Sequence, residues 1–106
     1  MSESKITIII TSYKSDNKIY TCLDSINNQY KVIVVENSDN ISFKHKLETR
    51  YSNLTCILAG ENLGYAKGNN LGLSKVKTPY ALILNPDTIV HENAIENFFS
   101  KAKKNR

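Results

Sequence analysis

The stretch ITIIITSYK, residues 6–14, decides the fold class. Every residue from Ile6 to Thr11 is β-branched. Such side chains have few χ1 rotamers, which disfavours a helix and suits the pleated surface of a strand. The run shows no clean apolar–polar alternation, and this is the pattern of a parallel strand covered on both faces. It then passes into Thr11, Ser12, Tyr13 and Lys14, all able to meet a polar ligand.

Three further strand-length runs follow: KVIVVE at 31–36, LTCIL at 54–58 and YALIL at 80–84. The segments between them carry helical spacing. In 16–29, Ile19, Leu23 and Ile26 recur at intervals of four and three, with Ser15 or Asp16 placed as the N-cap. Ser42 is placed to cap a second helix, on which Phe43, Leu47 and Tyr51 share one face. A glycine-rich stretch leads into a third helix ending near Ser74. Residues 93–103 make a fourth, with Ala94, Ile95, Phe98, Phe99 and Ala102. Strands alternating with helices imply right-handed crossovers and an α/β fold. The expected architecture is a Rossmann-like, three-layer α/β/α unit with a mainly parallel sheet of about four strands. No repeat or Pro/Gly-rich linker divides residues 1–106, so a single domain is expected.

Composition excludes several classes. Hydrophobic residues make up 41% and charged residues 23%, which fits a globular chain and not a disordered one. No apolar run approaches the roughly 20 residues of a membrane span. The N-terminus lacks a basic region followed by an apolar core, so no secretory signal is read and a cytoplasmic location is expected. Cys22 and Cys56 are too few for a disulfide framework and are expected as buried thiols. The formal net charge is +4, but Lys101, Lys103, Lys104 and Arg106 cluster at the end. That leaves the body near neutral and the segment 100–106 as a basic, solvated tail, so no nucleic acid is expected as a partner.

In an open α/β sheet, ligands bind beyond the carboxyl ends of the strands. The four runs end in Thr11-Ser12-Tyr13-Lys14, Glu36-Asn37-Ser38-Asp39, Gly60-Glu61-Asn62-Leu63-Gly64 and Asn85-Pro86-Asp87-Thr88, and a parallel sheet brings all four to one edge. Any one of these clusters could be an ordinary turn; four together point to a site. The glycines Gly60, Gly64, Gly68 and Gly72 recur every four residues. They serve either a close approach to ligand or close packing of a helix on the sheet. Lys67 and Asn69 in the same segment could reach a diphosphate. Pro86 ends the ladder, and Asp87 follows as an oxygen donor suited to a hard divalent cation. Neither GxGxxG nor GxxxxGK[ST] occurs, so the dinucleotide fingerprint and the P-loop are absent. The first strand is followed by no acid, which excludes a phosphoacceptor receiver domain.

In this order, TIIITSYK, KVIVVENSD, ENLGYAKGNNLGL and YALILNPDT resemble the inverting family 2 glycosyltransferases of the GT-A fold, across about residues 6–99. ENLGYAKGNN with NPDT resembles the branch containing rhamnosyltransferase-like enzymes. The resemblance implies a donor site for a UDP- or dTDP-sugar, with a glycan or lipid acceptor. Thr11 and Tyr13 would flank the base and Glu36 would contact base or ribose. Lys67 and Asn69 would face the donor, while Ser12, Asn37, Asn62, Gly64 and Asn85 complete the nucleotide-binding set. Asp87 would hold Mn²⁺ or Mg²⁺ across the diphosphate.

The sequence departs from the common pattern at three positions. Glu36 stands where aspartate is usual, Asn85 where the first acid of a DXD motif stands, and Lys14 where asparagine is frequent. The resemblance also implies that the acceptor site and a carboxylate base lie beyond the position equivalent to Arg106. Glu92 and Glu96 are the only acids after Asp87, and they share a helix face and read as solvated. The expectation is therefore a donor-binding portion that does not turn over alone, with no catalytic base among these residues. It would be prone to self-association through the edge of its sheet. A stand-alone nucleotide-binding or regulatory module is the alternative.

Overall fold

A computed structural model describes residues 5–104 apart from 16 and 92. Strands β1 (Ile6–Ser12), β2 (Lys31–Glu36), β3 (Leu54–Leu58) and β4 (Tyr80–Leu84) alternate with helices α1 (Lys18–Asp24), α2 (Ile41–Arg50), α3 (Tyr65–Leu73) and α4 (Ala94–Lys104). The sheet is wholly parallel in the order β3-β2-β1-β4. The chain thus winds outward on one side of β1 and returns on the other. The switch between β2 and β4 falls at β1, so the crevice expected of this topology opens at the carboxyl end of β1.

All of β1 is buried, as is β2 after Lys31, because these central strands are covered on both faces. Successive side chains of β1 feed two cores. Ile6, Ile8 and Ile10 join Ile19, Cys22, Leu23, Leu47 and Ile95 beneath α1, α2 and α4, whereas Ile9 meets Val35, Ile33 and Leu71 beneath α3. Both cysteines are free and buried in the first core, as their expected packing role requires. Removal from water pushes their thiols up, Cys22 to about 11 and Cys56 to about 12.

Several boundaries differ from the sequence expectation. Helix α1 stops at Asp24 because the Ser25 hydroxyl bonds the Cys22 carbonyl at 2.6 Å and accepts the Val90 N–H at 2.8 Å. Asn17 holds the N-cap position of α1; Asp16 lies outside the described residues. Helix α2 is capped by Asn40, whose Oδ1 accepts the Phe43 N–H at 3.0 Å, so Ser42 sits inside the helix. Helix α4 runs through Lys104, one residue past the end expected at 103. Glu96 is not a solvated acid: it accepts the Tyr30 hydroxyl and ties α4 to the start of β2. Glu92 and the side chain of Phe99 lie outside the described residues. Phe98 stands 52% exposed and does not shield the core.

Glycine spacing in α3 is resolved in favour of packing. A Cβ on Gly68 would lie 2.5 Å from Thr11 Cγ2, and one on Gly72 would lie 2.8 Å from Ile9 Cγ2. The two absent side chains let α3 lie close against β1. Gly60 and Gly64 serve a different purpose, adopting φ of 87° and 88° in the turn that leads into α3.

Candidate functional site

The four polar strand ends meet at one edge, as parallel pairing demands. Thr11, Ser12 and Tyr13 from β1, Asn37 from β2, Asn62, Gly64 and Tyr65 from the α3 approach, and Asn85 and Pro86 from β4 line a cavity of about 380 Å³. Seven of the residues expected at the site are therefore gathered around one space. Tyr65 and Pro86 were not among them. Tyr65 could have been found from its place as the first residue of a helix whose N-terminus faces this edge.

Hydrogen bonds hold the walls. Asn37 N–H donates to the Ser12 carbonyl at 2.8 Å, and Asn37 Nδ2 donates to the Gly64 carbonyl at 3.1 Å. Asn62 Oδ1 accepts the Gly64 N–H at 3.0 Å, closing an Asx turn that sets the direction of α3. Thr11 Oγ1 donates to Asn69 Oδ1 at 2.6 Å. Asn69 is buried, with its oxygen engaged in pinning α3 to β1.

Glu36 occupies a different place from the rest. The residue is 2% exposed, and its two carboxylate oxygens accept the hydroxyls of Ser12 at 2.6 Å and Ser38 at 2.7 Å. It lines a second cavity of about 450 Å³ with Lys14, Ser15, Asn17, Tyr20, Asn40, Ser42, Phe43 and Lys46. Lys14 takes a left-handed φ of 53° in this loop and holds its ammonium 5.2 Å from the Tyr13 ring centroid. Lys67 is exposed on α3 and lines neither cavity.

Asp87 is exposed, two residues beyond cavity-lining Asn85. It stands near enough to Cys22 to add to the upward push that burial gives that thiol. Among the described residues, no three His, Cys, Asp or Glu side chains are grouped to hold a metal ion. Mg²⁺ commonly takes one or two carboxylates and fills the remaining positions with substrate phosphates and water. One exposed carboxylate beside a polar cavity fits that shared mode and does not fit a protein-only cage.

The sheet order and its polar carboxyl edge define an open α/β domain with its ligand crevice at the switch point, and the fold matches that of solved GT-A glycosyltransferases. The family model for glycosyl transferase family 2 matches residues 7–106, and the chain belongs to that family. It is 30% identical over 106 positions to the teichoic acid poly(glycerol phosphate) polymerase of Staphylococcus epidermidis, covering 92% of this chain and 15% of that protein. It is 28% identical over 111 positions to rhamnosyltransferase WbbL of Escherichia coli K12, covering 95% of this chain and 41% of that one. The crystal structure of S. aureus TarS 1–349 in complex with UDP matches with a TM-score of 0.75 at 19% identity, across 95% of this chain and 32% of that one. That structural likeness concerns the fold. The chain spans less than half the length of each of these relatives. Among the described residues, no helix is long and apolar enough to cross a membrane.

Proposed function

We propose that this chain binds the nucleoside diphosphate of a UDP- or dTDP-sugar, as the donor half-site of an inverting hexosyl or rhamnosyl transfer to a glycan or lipid acceptor. The observation that carries the reading is the convergence of Thr11, Tyr13, Asn37, Asn62 and Asn85 on one cavity at the topological switch point. The UDP complex of the similarly folded TarS supports the choice of nucleotide.

In this reading the rings of Tyr13 and Tyr65 flank the base, while the β4 exit faces the diphosphate. Asp87 would hold Mg²⁺ or Mn²⁺, with the donor's phosphate oxygens completing its coordination. When bound, the ion supplies charge neutralisation to the departing diphosphate. Lys67 is an exposed cation on the helix that borders the site, available to the same phosphates. Glu36 keeps the β1 and β2 exits in register through Ser12 and Ser38. No residue of this chain is assigned as the base that takes the acceptor's proton.

Titration of the ¹⁵N-labelled chain with UDP tests the reading. Binding is expected on the order of micromolar to millimolar, with shifts centred on Tyr13, Glu36, Asn37 and Gly64. Shifts confined to the lysine-rich end of α4 would mean nonspecific attraction of phosphate and would overturn it.

A further inference from the structure

We propose that the C-terminal end of α1 positions Asp87: Ser25, assisted by Cys22, fastens the segment 85–90 so that the Asp87 carboxylate keeps one place beside the donor site. The inference rests on the donor-binding reading and its metal role for Asp87, and deepens it by naming residues outside the cavity that set where that carboxylate stands.

Strand β4 ends at Leu84 and α4 begins at Ala94, so Asp87 lies in neither. A carboxylate on an untethered loop samples many positions, and apparent affinity falls by the fraction of time it spends in the competent one. Here the segment is fastened. The Asn85 carbonyl accepts the Thr88 N–H at 3.0 Å, closing a four-residue turn with Asp87 at its third position. Pro86, at the second position, presets the backbone of that turn. The same carbonyl lies 3.9 Å from the Cys22 sulfur, the length of a weak S–H···O contact. Beyond the turn, the Val90 N–H donates to Ser25 Oγ at 2.8 Å, and the Val90 side chain packs on the first core.

A single hydroxyl suits Ser25 to this task. Its proton is committed to the Cys22 carbonyl at 2.6 Å, which leaves its lone pairs to receive the Val90 N–H. Ser25 is also the C-cap residue of α1, and its backbone N–H bonds the Cys22 carbonyl at 3.1 Å. The helix it closes is seated on the core through Ile19, Cys22 and Leu23. Both tethers therefore lead from an exposed turn into one packed element. Neither Ser25 nor Cys22 lines the cavity, so what they contribute to ligand binding passes through the segment they hold. Ser25 is a positioning residue, and Asp87 is the group that meets the ligand.

Calorimetry of UDP binding with and without Mg²⁺, in the native chain, Ser25→Ala and Ser25→Thr, tests this. Ser25→Ala takes the acceptor from the Val90 N–H and is expected to lower the Mg²⁺ enhancement roughly 2- to 10-fold, the worth of one hydrogen bond. Binding of UDP without metal should stay the same. Ser25→Thr keeps the hydroxyl and should restore the native enhancement; an enhancement equally low in both variants would remove the hydroxyl as the tether and overturn the proposal. Full enhancement in a Ser25→Ala chain that merely melts earlier would show a structural bond only, overturning the proposal and leaving the metal role of Asp87 standing. If Ser25→Ala does not fold, the native chain carries the test by linkage, because a contact that favours the metal complex is strengthened by it in return. Exchange of the Val90 amide hydrogen should slow on adding Mg²⁺ to the UDP-bound chain, and by more than the amides of β1. Equal slowing at both places would overturn the proposal. No Mg²⁺ enhancement in the native chain would overturn the metal role of Asp87 and this proposal together.

Discussion

Thr11 on β1 donates its hydroxyl to the side-chain oxygen of Asn69 on α3 across 2.6 Å, joining residues 58 apart in the chain. The bond forms because Gly68 lets the helix approach until a Cβ there would lie 2.5 Å from Thr11 Cγ2. A buried polar pair and a missing side chain together set the distance between α3 and the edge of the site.

Gly68→Ala is expected to destabilise the chain despite alanine's better helix propensity. The propensity gain is about 1 kcal/mol, while overpacking a filled core costs about 1–3 kcal/mol. The clash should win because Thr11 cannot swing away without releasing Asn69. Thr11→Ser removes the clashing methyl and keeps the hydroxyl, so the double variant should recover part of the loss. Chemical denaturation of the four species measures the coupling.

Asp87→Ala should leave the melting temperature unchanged and remove the enhancement of UDP binding by Mg²⁺ or Mn²⁺. The side chain is exposed beyond the end of β4, so the fold does not depend on it. Manganese-induced line broadening is expected around 85–88 in the native chain and should vanish in the variant. Equal broadening in both would transfer the metal role elsewhere.

Glu48 gives a pH-dependent contribution at the β3 edge. Its carboxylate accepts the Cys56 N–H at 2.8 Å and pairs with Lys44 at 2.9 Å, and the backbone bond first and then the Lys44 bond hold it below the usual carboxylate range. A lowered folded value means stability that is present above the unfolded pKa of about 4.3 and lost as pH falls through the folded one. The native chain should therefore lose more stability than Glu48→Gln on acidification below about pH 4.5. At neutral pH the difference should be about 0.5 kcal/mol, as for a partly exposed i,i+4 pair. Denaturation midpoints at pH 7 and pH 3 decide it.

The two sheet edges should behave differently in solution. At β3, Lys44 and Glu48 engage both backbone groups of Cys56 and block pairing there. At β4, no strand pairs with the outer side among the described residues, and Ile83 is 40% exposed. Concentration-dependent self-association through β4 is expected, visible as a rising sedimentation coefficient across a hundredfold concentration range. A constant monomer with slowly exchanging outward amides in 81–84 would refute it.

Both cysteines should resist alkylation in the native state at pH 8. With thiols at about 11 and 12, the reactive thiolate is scarce, and both side chains are buried. Rapid labelling only after denaturant is added is the expected result; fast native labelling of one cysteine would show that its core opens.

The strand runs, their parallel arrangement and the convergence of their polar ends were all legible in the residues. β-branched runs that do not alternate allow little besides buried parallel strands, and a parallel sheet puts every carboxyl end at one edge. The resemblance carried by ENLGYAKGNN and NPDT was legible for the same reason: these are local strings whose order survives in the sequence. What the string does not contain is how far each polar atom is satisfied by residues distant in the chain. Glu36 and Asn37 are neighbours, yet one carboxylate is engaged by Ser12 and Ser38 while the other side chain keeps an unmatched oxygen. Asn69 bonds Thr11, and Glu96 bonds Tyr30 across 66 positions. Hydrogen-bond partners are chosen by distance in space after the sheet and helices have packed, so the sequence by itself determined that the four polar strand ends meet at one edge, and only the tertiary structure decided which of their residues line the cavity and which have an atom left to offer a ligand.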